Sequence, residues 1–188
     1  GQSSGVFESL VDPERAIPPE ASAVHGLVDE DVVGKPKLQE IALPEHFDVF
    51  VAHNAAFDTS FVPRIVGDKP VLCTLKLAQH LWPDLAQHKN QFLRHYFRLA
   101  IPEPYGSRMA HSALADAVVT ARILAYELRE IYAKAKDPEA VSVESLIQWS
   151  NAPRMLVTCR FGNKHYGITW RDVPRSYLQW MQDKCKDL

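Results

Sequence analysis

The sequence predicts an α/β fold, a mixed sheet flanked by helices, with a small basic module at its C-terminal end. Three observations point there. Short runs rich in Val and Phe, such as Asp48 to His53, alternate with longer segments whose apolar residues recur at helical spacing. A length of 188 residues, 46% hydrophobic and 23% charged, suits one medium domain with an appendage. Charge also changes sign along the chain. Residues 1–133 hold 12 Lys and Arg against 17 Asp and Glu, whereas residues 151–188 hold 7 against 3.

Taken in order, Gly5 to Val11 reads as a strand, closed by the turn signal Asp12-Pro13. Ile17-Pro18-Pro19-Glu20 opens a short helix, because proline's missing N–H costs nothing in a first turn. His25-Gly26 ends it, with glycine in the left-handed cap. LVDEDVVGKP starts a second short helix with its acids at the positive end of the helix dipole. Beyond the strand at 48–53, Phe57, Phe61, Val62 and Ile65 repeat at helical spacing up to Gly67. PVLCTLKLAQHLWP is a strand running into a helix that stops at Trp82-Pro83. Gln87 to Leu99 is an amphipathic helix, and IPEPYGS a loop. From Ser112 to Lys134 a long helix carries Leu114, Val118, Ala121, Leu124, Ala125 and Leu128 on one face. Lys134 to Glu139 begins a linker and Val143 to Ser150 is a short helix. A hairpin and a helix over PRSYLQWMQDKC complete the chain. The predicted units are a main domain over 1–135, a linker helix over 136–150 and the basic module over 151–188.

Several classes are set aside by composition. No apolar run approaches the roughly 20 residues of a membrane helix, and GQSSGVFESLV lacks the order of a secretory signal. Cys73, Cys159 and Cys185 are scattered, with no C-x-x-C spacing, which predicts reduced thiols in a cytoplasmic protein. A formal net charge of −2 does not mark a general nucleic-acid binder. An acidic body with a basic tail suits carboxylates that bind metal beside a part that meets phosphates.

Two stretches carry chemistry. VAHNAAFD, Val51 to Asp58, ends a buried strand by delivering a carboxylate. AHSALADA, Ala110 to Ala117, puts His111 just before a helix and Asp116 in its first turn. Asp116 can hold a metal on a rigid element, with Asp58 supplying a second oxygen ligand and His111 approaching a metal-held water. Hard cations such as Mg²⁺ and Mn²⁺ prefer such oxygens. Two metals roughly 3.5–4 Å apart stabilise the attacking and leaving oxygens of a phosphoryl displacement. An imidazole with an ordinary pKa of about 6.5 takes the proton from the attacking water.

These residues resemble a known pattern. His53-Asn54-Ala55-Ala56-Phe57-Asp58 resembles the second motif of the DEDDh 3′→5′ exonucleases, and His111 to Asp116 is similar to their third. Val24-His25-Gly26-Leu27 and CTLKLAQHLWP resemble segments that flank the second motif. The matches run in family order over residues 5–130. FGNKHYGITWRDVPRSYLQWM resembles a small C-terminal module found in one branch of the family, with Asn163 where a Lys is usual. The resemblance implies an RNase H-like fold and a two-metal site holding Mg²⁺ or Mn²⁺ on Asp58 and Asp116. It implies His111 as general base, and His25, Asn54 and Phe57 as substrate contacts. Single-stranded or 3′-ended DNA is the implied substrate, RNA remaining open, and polymerase or repair proteins are the implied partners.

One departure stands out. The family's first motif, D-x-E on the first strand, supplies two of four metal-binding carboxylates, and no D-x-E on a strand appears in this chain. Gly5 to Val11 matches the family's third strand, so the first strands and the full metal site are expected to be missing and the chain alone to be inactive. Each site residue also has a structural alternative. Asp58 could cap a helix, Asn54 could fix a turn, Phe57 could be core, and His25 could bond the end of its helix. His53 reads as a structural hydrogen-bonder. His46, His80, His88 and His95 are assigned to solvent or helix surfaces. Trp82, Trp149, Trp170 and Trp180 are assigned to packing, with base stacking by Trp170 as the alternative. The rival function is a non-catalytic nucleic-acid- or polymerase-binding module that keeps the fold.

Overall fold

The computed structural model describes residues 5–42, 47–103, 105, 112–153, 157–159 and 162–184. Its helices are α1 (Pro19–His25), α2 (Asp29–Val32), α3 (Ala55–Phe61), α4 (Pro63–Val66), α5 (Thr74–Leu81), α6 (Asn90–Tyr96), α7 (Ala113–Lys134), α8 (Val143–Asn151) and α9 (Arg175–Lys184). Two strands, β1 (Phe50–Ala52) and β2 (Val71–Cys73), pair in parallel with Phe50 opposite Val71 and Ala52 opposite Cys73. Parallel neighbours need a crossover, and α3 and α4 provide it.

Side-chain alternation divides the strands between two apolar layers. Ala52 and Cys73 pack with Ala55 against Phe50, Val71 and Leu75. Leu72 points the other way, to Leu77 and Leu146, beneath Val49, Val51, Leu124 and Trp149. A third cluster joins Ala78, Leu93, Val119 and Ile123. Leu77 and Ala78, adjacent on α5, are both 0% exposed. They serve different clusters, so α5 is the shared wall of the core. Covering a leucine completely contributes about 1.5–3 kcal/mol.

Four expectations need correction. Gly5 to Val11 forms no strand. Val6, Phe7 and Leu10 are exposed, and the only ladder contact near them is a single parallel bridge from Asp12 to Lys37. A strand exists only where a neighbour accepts its hydrogen bonds, and among the described residues none does. The helix expected to run from Ala55 to Gly67 breaks at Val62, because Pro63 has no N–H and displaces the preceding residue from helical geometry. The helix expected over 87–99 spans only Asn90–Tyr96; beyond it Arg98 takes a left-handed φ of 50°.

The long helix starts and stops where predicted, and Leu124 and Leu128 of the predicted face pack on the Leu72 cluster, but its most buried stripe is a neighbouring one. Ala115, Val119, Thr120, Ile123 and Glu127 are buried, while Ala121 and Ala125 are exposed. The C-terminal hairpin is narrow. One antiparallel bridge joins Thr158 and Thr169, flanked by Cys159 N–H donating to Ile168 C=O at 2.7 Å and Trp170 N–H donating to Val157 C=O at 3.1 Å.

Candidate active site

The site begins where β1 ends. His53 is wedged between two chain segments: Nε2–H donates to the His88 carbonyl at 2.7 Å, and Nδ1 accepts from the Thr74 hydroxyl at 2.8 Å. Burial holds its pKa below the ordinary imidazole value, so the ring is neutral and both nitrogens are engaged. That is the structural role expected. His88 departs from its surface assignment. It is half-buried, and its Nε2–H donates to the Trp82 carbonyl at 2.8 Å.

Asn54 follows with φ 74° and ψ 47°, the left-handed region that Asn tolerates better than most residues, and it caps α3 without a side-chain cap bond. The turn it makes aims α3 away from the strand. Asp58 is therefore not the cap. It is the fourth residue of α3, half-buried, and its carboxylate has no partner side chain among the described residues. Burial raises its pKa above the ordinary carboxylate value.

Asp116 occupies the same place in another helix. Ser112 caps α7, its Oγ accepting from Ala115 N–H at 3.1 Å, and Asp116 is the fourth helical residue. Both acids thus stand one turn inside a helix N-terminus, where the dipole favours negative charge. Asp116 Oδ1 accepts from Gln91 Nε2 at 2.7 Å, and Gln91 Oε1 accepts from Arg94 at 3.2 Å. Asn90 donates to Thr120 Oγ1 at 2.7 Å and, at 3.4 Å, to the Asp116 carbonyl. The start of α6 therefore fixes the start of α7. Sequence reasoning missed Asn90 and Gln91, because two amides on an amphipathic helix carry no spacing signal. Asp116 is close enough to His53 for its charge to act on that ring. Among the described residues no hydrogen bond joins Asp58 to Asp116.

Phe57 is not core. It is 61% exposed on α3, with its ring 4.9 Å from that of Phe61. Beside Phe61 a groove of about 520 Å³ opens between Leu38, Ile41, Phe47, Arg64 and Lys69. His25 is exposed at the end of α1, where Gly26 takes the expected left-handed cap at φ 75°. Its Nδ1 accepts from Leu27 N–H at 3.1 Å and leaves the helix carbonyls alone. His111 lies outside the described residues.

Two D-x-E triplets occur off strands, Asp12-Pro13-Glu14 and Asp137-Pro138-Glu139. Both are tight turns in which Asp Oδ1 accepts the N–H two residues on, at 2.8 and 3.1 Å. Glu14 also pairs with Lys37. Neither turn stands in for a strand-borne acidic pair. For a hard cation the donor chemistry of Asp58 and Asp116 fits, but the donor number does not complete a shell. Among the described residues no three His, Cys, Asp or Glu side chains are gathered to hold a metal ion.

The exonuclease family model matches residues 2–124, and the chain belongs to that family, in the DEDDh class its motifs define. Exodeoxyribonuclease 10 of Escherichia coli K12 is 30% identical over 186 residues, covering 96% of this chain and 78% of that protein. A DNA polymerase III subunit epsilon-like protein of Rhodobacter capsulatus is 36% identical over 126 residues, 62% of this chain and 17% of that one. A solved structure of Exonuclease X in complex with 5′ overhanging duplex DNA aligns with a TM-score of 0.62 at 29% identity, over 75% of this chain and 78% of that one. The fold is RNase H-like α/β. No helix among the described residues is long and apolar enough to cross a membrane.

Proposed function

We propose that this chain serves metal-dependent 3′→5′ removal of nucleotides from DNA, with Asp58 and Asp116 as metal ligands and His111 as general base. The observation that carries the reading is the matched placement of the two acids. Each stands on the fourth residue of its helix, and the charge of Asp116 reaches His53, five residues before Asp58. Asp58 is a half-buried carboxylate with no side-chain partner among the described residues, and burial raises its pKa.

Mg²⁺ or Mn²⁺ bound at Asp58 and Asp116 would supply Lewis-acid stabilisation of the charge that develops at phosphorus. The chain's own side chains do the rest. Gln91 holds Asp116 in one rotamer through the 2.7 Å bond. Phe57 offers an exposed ring to the terminal base, the Asn54 amide is a further substrate contact, and His25 contacts the substrate from the end of α1. The imidazole of His111 accepts the proton of the attacking water. The relatives named for DNA polymerase III support a replication or repair setting.

The sequence holds half of the four-carboxylate set, so the chain by itself is expected to bind metal weakly and cleave little. The test is Mn²⁺ calorimetry and hydrolysis of a 5′-labelled single strand, on this chain and on one extended by a strand carrying D-x-E. A ladder shortening from the 3′ end in the extended chain, abolished by Asp116→Asn, is the expected result. An extended chain that neither binds Mn²⁺ nor cleaves overturns the assignment and leaves the non-catalytic binding module.

A further inference from the structure

Residues 162–184 bring together side chains that the nuclease reading leaves unused. Tyr177 on α9 is the pivot. Its hydroxyl lies 2.8 Å from where a Cβ on residue 162 would sit, and Gly162 takes φ +61°, so glycine alone lets the loop close onto the helix. His165 meets the Tyr177 ring edge-on, with centroids 4.5 Å apart. Trp180 stacks on the same tyrosine at 5.3 Å and 30°.

This aromatic row does not end in a core. Trp180 is 53% exposed, against the packing role its sequence suggested, and Tyr166, next to His165, is 60% exposed. Trp170, the stacking candidate from sequence, is half-buried. Cations frame the row. Lys164 adjoins His165, and Lys184 is four residues past Trp180, on the same side of α9. With Arg171 and Arg175 they are exposed, and none forms an ion pair among the described residues. Residues 151–188 hold 7 basic against 3 acidic residues, while the rest of the chain holds 14 against 20.

A purely apolar partner would leave these cations unpaired, and the rings with cations on both sides offer stacking faces and phosphate contacts together. Unpaired nucleotides present both a π-face and a phosphate at each step. We propose that α9 and the loop at 162–167 form a second binding site, for single-stranded nucleic acid. Bases stack on Trp180 and Tyr166 while Lys164 and Lys184 contact phosphates. Tyr177 and Gly162 position the rings. The site shares no residue with Asp58 and Asp116 and needs no metal, so it stands or falls independently of the nuclease assignment.

The test uses the full chain in EDTA with a fluorescein-labelled dT strand of about 20 nucleotides, followed by anisotropy across a salt series. Trp180→Ala is expected to weaken binding roughly five- to a hundredfold, the range for losing one stacked base. Lys164→Glu combined with Lys184→Glu is expected to weaken it and flatten the salt slope by about two phosphate contacts. A U-strand of equal length should bind within a few-fold, because the face meets rings and phosphates that both chemistries share. Unchanged affinity in Trp180→Ala, with circular dichroism showing a folded chain, overturns the proposal. So does an unchanged salt slope in the double lysine variant, which removes no apolar surface and keeps the test open should the tryptophan variant unfold.

Discussion

Asn54 separates two roles that one side chain can hold at once. Its backbone sits in the left-handed region to turn β1 into α3, and its amide is a proposed substrate contact. Glycine satisfies the backbone without supplying the amide. Asn54→Gly is therefore expected to change stability by only a few tenths of a kcal/mol, whereas Asn54→Ala costs roughly 1–2 kcal/mol because its Cβ crowds the neighbouring carbonyl. Urea melts of the two variants decide the point. If both melt alike, the turn is not what Asn54 secures. Residue-level reading of the sequence served well where a residue's task is local. Gly26 as the cap of α1 follows from its nearest chain neighbours, whereas the partners of His53, Thr74 and His88, lie 21 and 35 residues away. Glu127 could not be found that way, since its burial depends on what packs across from it.

At the scale of elements, α7 shows both the strength and the limit of periodicity. Ser112 as start and Lys134 as end were legible from capping chemistry and length. The buried face was legible only in part, through Leu124 and Leu128. The stripe that turns inward includes Thr120 and Glu127, and a search for apolar residues passes over it in favour of Leu114, Val118 and Ala121. Gly5 to Val11 failed for a related reason, because alternation describes a strand's faces and says nothing of whether a neighbour is there to pair. Two predictions belong here. Ser112→Ala removes the acceptor for Ala115 N–H and is expected to cost about 1 kcal/mol in a chemical melt. Leu77→Ala opens a cavity where α5 meets the sheet and α8, and is expected to cost about 2–5 kcal/mol. A loss below 1 kcal/mol would show that α5 is not the wall on which the clusters rest.

For the whole molecule, the buried carboxyl of Glu127 sets the response to pH. It is 0% exposed, neither oxygen has a partner, and burial, with Cys73 beside it, pushes its pKa to about 9 from 4.5. The folded chain therefore keeps a proton that the unfolded chain releases above its ordinary value. Stability falls as pH rises between about 4.5 and 9, by roughly 1.4 kcal/mol per unit. Lys76 on the nearby α5 is turned to Asn151, and His80 is stacked on Trp149, so neither neutralises the carboxyl. Glu127→Gln keeps the shape without the titration. It is expected to melt higher than the parent chain at pH 8 and to lose the parent's slope, and parallel pH profiles would refute this.

Cys73 gives the same interior a clock. Its thiol is 5% exposed at the point where β2 becomes α5, between the parallel strands and the helix that walls the core. A thiol reagent can reach it only when that junction opens, so its modification rate counts openings that a melting curve averages away. Cys159, also buried, sits beside the Thr158–Thr169 bridge far along the chain. With Cys185 replaced by serine, a single labelling experiment would therefore compare how often these two places in the fold open.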